Sequence, residues 1–72
     1  MRIMYSYYGN KSVLDVSKAE ESGSNLTFTP IKDGLPRVMI CVNEKDRKEI
    51  MRSLLSAGFA DLSFFGNTTI LY

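Results

Sequence analysis

The chain has 72 residues, with nine Lys plus Arg against eight Asp plus Glu, one Cys, no His and no Trp. Without an imidazole, Ser-His-Asp, Cys-His and two-histidine arrangements are excluded within one chain, leaving carboxylate, Lys, Arg or Tyr chemistry. One Cys without His also excludes the usual zinc constellations and any intrachain disulfide, so no metal and no cofactor is expected.

A length well under the roughly 100 to 200 residues of a typical domain predicts one small α+β domain over residues 1–72, and the chain, starting at Met1, reads as a whole small protein. No apolar run approaches the roughly 18 residues of a membrane span, and the N-terminus lacks a secretion signal, so a cytoplasmic protein is expected. Nearly every large apolar side chain is needed in so small a core. A homodimer would ease that shortage.

Arg2 to Tyr8 alternates Ile3, Tyr5 and Tyr7 against Met4, Ser6 and Tyr8, which predicts a strand, with a turn at Gly9-Asn10. Ser12 to Glu20 is ambiguous. Val13, Leu14 and Val16 suit a strand, Ser12 with Asp15 resembles a capping box, and strand is chosen. Glu20 to Ser24 reads as a loop, and Asn25 to Ile31 as a strand with Pro30 marking its end or an edge. After a turn at Lys32 to Pro36, the apolar run Arg37 to Val42 predicts a central strand buried on both faces, with Cys41 in the core.

Asn43 is a helix cap, with Glu44 and Asp46 in the first turn. Ile50, Met51, Leu54 and Leu55 share one face, and Gly58 supplies a left-handed stop. Leu62 to Phe65 reads as a strand joined through a two-residue hairpin at Gly66-Asn67 to a last strand at Thr68 to Tyr72. The predicted order is β-β-β-β-α-β-β, a mainly antiparallel sheet with one amphipathic helix packed on one face. The other face is solvated, closed by strong curvature, or covered by a partner.

Four Tyr and no Trp leave tyrosine as the candidate contact residue, because it combines a large contact area with a polar tip. Tyr5, Tyr7, Tyr8 and Tyr72 are therefore candidates for protein binding; the plainer reading puts Tyr5 and Tyr7 in the core and Tyr8 beside a turn. Arg47 falls on the apolar side of the helix. It either runs its stem over the core edge or meets a carboxylate such as Asp61, and it joins the protein-binding candidates. Lys45, Lys48 and Arg52 form a basic stripe opposite Ile50 and Leu54, with a Lys45 to Glu49 ion pair beside it. With Arg37 they are the candidates for nucleic-acid contact. The plainer reading is a solvated helix face. The Asp and Glu residues make no motif, and no Gly belongs to a phosphate-binding pattern.

In size and near-neutral charge the chain resembles the short single-domain binders and inhibitors of phages and mobile elements, including anti-CRISPR proteins; the resemblance is one of size and is carried by no motif. It implies a non-catalytic protein-binding module, an inhibitor or adaptor that sterically occludes a larger protein or protein-nucleic-acid complex. The alternative is a small nucleic-acid-binding regulator using the basic helix face and Tyr stacking. A net charge of +1 disfavours it. A third reading, a small ribonuclease-like enzyme working with Arg, Lys and Tyr, needs a cleft that this length hardly provides.

Overall fold

A computed structural model describes all residues, Met1–Tyr72. The elements are β1 (Arg2–Tyr7), β2 (Asn10–Ser22), β3 (Asn25–Pro30), β4 (Arg37–Cys41), α1 (Glu44–Ala57), β5 (Phe59–Asp61), a 3-10 turn (Leu62–Phe64) and β6 (Thr68–Leu71). The strands form one six-stranded sheet in the order β5-β1-β2-β3-β4-β6. Every neighbouring pair is antiparallel except β1 with β5. The class is α+β, with the single helix packed against the sheet.

Ser12 to Glu20 is strand throughout, inside the 13-residue β2. Its first half pairs with β1 and its second half with β3, and the register slips between Val16 and Lys18. This bulge leaves Ser17 unpaired and resets the alternation. Leu14 and Val16 before it and Ala19 after it then face the same concave side. The sheet curls so far that the end of β1 approaches the start of β6.

The concave side holds the core, eleven buried residues that run from Ile3 and Val16 through Leu26, Phe28, Val38, Ile40 and Val42 to Ile50, Leu54, Ala60 and Leu62. Helix α1 closes it. Asn43 Oδ1 accepts the Asp46 N–H at 2.8 Å, and Gly58, at φ 69°, donates its N–H to the Leu54 carbonyl at 3.0 Å. Ile50 and Leu54 are buried and Met51 half-buried, whereas Leu55 is 81% exposed. At 100° per residue Leu55 lies on the far flank of the stripe, where the curled sheet no longer reaches it.

Five expectations are corrected. The loop read at Glu20 to Ser24 shrinks to a turn at Gly23-Ser24, because Glu20, Glu21 and Ser22 pair with β3. The first turn is Tyr8-Gly9, one residue earlier than read, since Tyr7 pairs with Asn10 across it. Strand β4 is buried on one face only: Val38 and Ile40 point inward, Met39 is half-buried, and Cys41 is exposed rather than in the core. No second layer covers the convex side, so alternation alone decides which β4 residues are dry. Leu62 to Phe65 is not a strand. The Asp61 carboxylate accepts both the N–H and the hydroxyl of Ser63, which winds the chain into a 3-10 turn and places Leu62 in the core. Gly66-Asn67 is therefore no hairpin turn, because β5 and β6 lie at opposite edges of the sheet.

No helix is long and apolar enough to cross a membrane. One local defect stands out. Thr68 is 8% exposed, and its buried hydroxyl has no hydrogen-bond partner. An unsatisfied buried hydroxyl costs about 1 kcal/mol or more, so Thr68→Val, of the same shape, is expected to stabilise the fold by about 1 kcal/mol. The check is a higher urea midpoint at unchanged slope.

Candidate functional site

The tyrosines separate by register. Tyr5 and Tyr7 follow Ile3 on the concave side of β1; Tyr5 packs on the core, and Tyr7 sits half-buried at its rim. Tyr8 occupies the first position of a two-residue hairpin turn, with φ 48° followed by Gly9 at φ 78°. Positive φ at both central residues is the type I′ geometry, which favours Asn-Gly because the left-handed region costs an ordinary side chain about 1 kcal/mol. Tyr8 is nonetheless 88% exposed, with its ring edge-on to that of Tyr7 at 4.6 Å and 74°.

Tyr72, just past β6, is 98% exposed. The Tyr7 hydroxyl is held above its ordinary pKa by partial burial first and by the neighbouring Tyr8 and Tyr72 hydroxyls next. The pairings run β1 and β6 in the same direction, so Tyr72 and the Tyr7–Tyr8 pair leave the curled sheet at the same end, while Tyr5 stays in the wall. Leu35, Pro36 and Arg37 border Tyr72, since the Arg37–Leu71 pairing of β4 and β6 brings the β3–β4 turn alongside the C-terminus. Arg37 makes no ion pair. Beside this aromatic group a polar depression lies between the end of β1 and the start of β6, lined by Ser6, Tyr7, Gly9, Ser63, Asn67 and Thr68.

Arg47 meets no carboxylate. Its guanidinium donates to the Val42 carbonyl, which ties the first turn of the helix to the end of β4. Lys45, Lys48 and Arg52 do share one helix face with Glu49, but the intrahelical ion pair is Glu44 to Lys48 at 3.1 Å, not Lys45 to Glu49. Acidic before basic at four residues is the better-placed direction along the helix dipole. Arg37 stands at the other end of β4 from the helix, so the basic candidates form no single patch. No three His, Cys, Asp or Glu side chains are grouped to hold a metal ion.

Sequence reasoning missed Leu35 as a surface residue beside Tyr72. A Leu held between Gly34 and Pro36 was the available signal, because tight turns run over the surface and Leu35 remains 45% exposed there. Comparison with protein-family models, with curated proteins and with solved structures gives no match.

Two outcomes follow. Tyr8→Asn suits the type I′ turn and is expected to raise stability by about 0.5 kcal/mol after loss of the ring pair with Tyr7, read as a higher thermal midpoint. The hydroxyl of Ser63, then its amide and the charge of Lys11, hold Asp61 below its ordinary 3.8 against the opposing effect of burial. A depressed native pKa contributes stability present above the ordinary value and lost as pH falls through the native one. Urea unfolding at about pH 5 and about pH 2 is expected to show a smaller acid loss in Asp61→Asn, which keeps the acceptor for Ser63, than in the wild type.

Proposed function

We propose that this protein is a non-catalytic protein-binding module, an inhibitor or adaptor that covers a larger protein or protein-nucleic-acid complex with the surface built from Tyr7, Tyr8, Tyr72, Leu35 and Arg37. One observation carries the reading: Tyr8 holds a fully displayed aromatic ring at a backbone position that disfavours it. Tyrosines of this kind are the side chains that anchor interfaces, and the adjoining Leu35 and Arg37 supply an apolar contact and an unpaired charge. The chain is large enough for one standard interface of roughly 800 Å² per partner, so its action is steric. Its setting in this reading is the cytoplasm of a cell carrying a phage or mobile element, where the exposed thiol of Cys41 stays reduced.

The basic helix face supports nucleic-acid binding less well, because Glu44 and Glu49 stand among Lys45, Lys48 and Arg52. Salt and nuclease separate the two readings. Tagged wild type, immobilised in lysate of the source cell, is expected to retain one protein in stoichiometric amount after nuclease treatment and a high-salt wash. A Tyr8→Ala, Tyr72→Ala double variant of unchanged thermal midpoint is expected to lose it, each anchor contributing about 2 kcal/mol. Retention by the double variant, or release by nuclease or salt, overturns the proposal.

A further inference from the structure

The register of the sheet fixes which main-chain groups of β6 are paired. The Val42 N–H donates to the Ser24 carbonyl at 3.0 Å, one step beyond the Asn25–Cys41 pair. Antiparallel ladders alternate, so Val42, Ile40 and Val38 turn their N–H and C=O groups toward β3, and Cys41, Met39 and Arg37 turn theirs toward β6. Met39 pairs with Thr69 and Arg37 with Leu71. Thr69 and Leu71 are therefore hydrogen-bonded to β4. Ile70 directs its N–H and C=O out of the sheet, and Tyr72, next in alternation, its N–H.

The two edges of the sheet are treated differently. Strand β5 is three residues long and joined directly to the end of α1, so it offers little to another chain. Strand β6 reads Thr-Thr-Ile-Leu, without the Lys, Pro or inward charge that natural edges use to block pairing. The exposed ring of Tyr72 follows directly, and the depression beside Tyr7 and Tyr8 reaches its first residue, Thr68.

We propose that the β6 edge from Ile70 to Tyr72 takes an extended segment of the partner polypeptide as an added strand, gripped by Tyr8 and Tyr72. This rests on the protein-binding reading above and names its mode: main-chain hydrogen bonds give affinity, and the flanking rings select the side chains. A second copy of this chain fits less well. Two β6 strands of four residues, each about 13 Å long, bury far less than the roughly 1,200 Å² of a stable pair. A larger partner covers the edge, Leu35 and both rings together.

The test uses the full chain made by chemical synthesis, with and without a methyl group on the Ile70 amide nitrogen, and a displayed library of random linear dodecapeptides as the probe. In the free protein the Ile70 amide is expected to exchange fast while those of Thr69 and Leu71 are protected. Wild type is expected to enrich peptides that bind at least about tenfold more weakly to the N-methylated chain, the effect of losing one main-chain bond and the approach of a strand. Unchanged thermal melting of that chain shows that the fold is intact. Peptides indifferent to the methyl group but lost on Tyr8→Ala overturn strand addition while leaving the protein-binding reading standing. Enrichment of nothing overturns the proposal, as does a wild-type dimer in sedimentation that the methyl group dissociates, which would make the second copy the occupant.

Discussion

Everything in this fold depends on one strand serving two partners. Strand β2 pairs with β1 and then, past Ser17, with β3, and the handover is sealed by main-chain bonds from Val16 N–H to the Met1 carbonyl and from Ile31 N–H to the Asp15 carbonyl. Without the extra residue at the bulge, strict alternation would send Ala19 to the convex side and the polar neighbours Lys18 and Glu20 into the core. The bulge thus lets thirteen residues present apolar groups to one concave side across a sharp bend. A flat six-stranded sheet of this composition would need a second layer. A curled one nearly closes on itself.

Curvature also explains why one helix suffices. Ile50 and Leu54 alone enter the core deeply, and the remaining concave surface is covered by the sheet's own return, by Leu62 of the 3-10 turn and by Ala60. Arg47 belongs to this machinery, since its bond to the Val42 carbonyl fixes how the helix leaves β4. The convex face has no such cover. Its Thr27, Thr29, Thr69, Lys18 and Glu20 suit contact with water, Met39 stays half-buried among them, and the ion pairs there, such as Lys18 to Glu20, are exposed and contribute little.

What the sequence made legible was local chemistry. Asn43, Asp46 and Gly58 announce the ends of the helix because capping is decided within a few residues, and the alternation of Leu26 and Phe28 against Thr27 and Thr29 identifies the inner face of β3. Position within the sheet was not legible. The apolar run Arg37 to Val42 reads as doubly buried, yet whether Met39 and Cys41 are dry depends on a second layer that curvature makes unnecessary. Gly66-Asn67 carries every mark of a hairpin turn. Yet the strands it would join are five places apart, because Asp61 diverts the chain through Ser63, and a parallel pairing of β5 with β1 leaves no local trace. Tyr72 likewise has no sequence link to Tyr7 and Tyr8; only the closing of the sheet brings them to one end.

That end is also where this chain departs from the rules it obeys elsewhere. Tyr8 stands in a turn made for Asn, Thr68 buries a hydroxyl without a partner, Ile70 presents an unpaired N–H and C=O, and β6 lacks the charges that guard an edge. The first two are small costs, on the order of 1 kcal/mol each, in a domain with only a few kcal/mol in reserve, and the last two leave an edge open to pairing. Four such departures scattered over the molecule would be ordinary imperfection. Gathered along β6 and at the hairpin that faces its first residue, they share one remedy: an extended chain laid along β6 would pair the Ile70 groups, cover the opening beside Thr68, and turn the misplaced ring of Tyr8 into a contact. The strained turn and the unguarded edge are then the features that favour the complex.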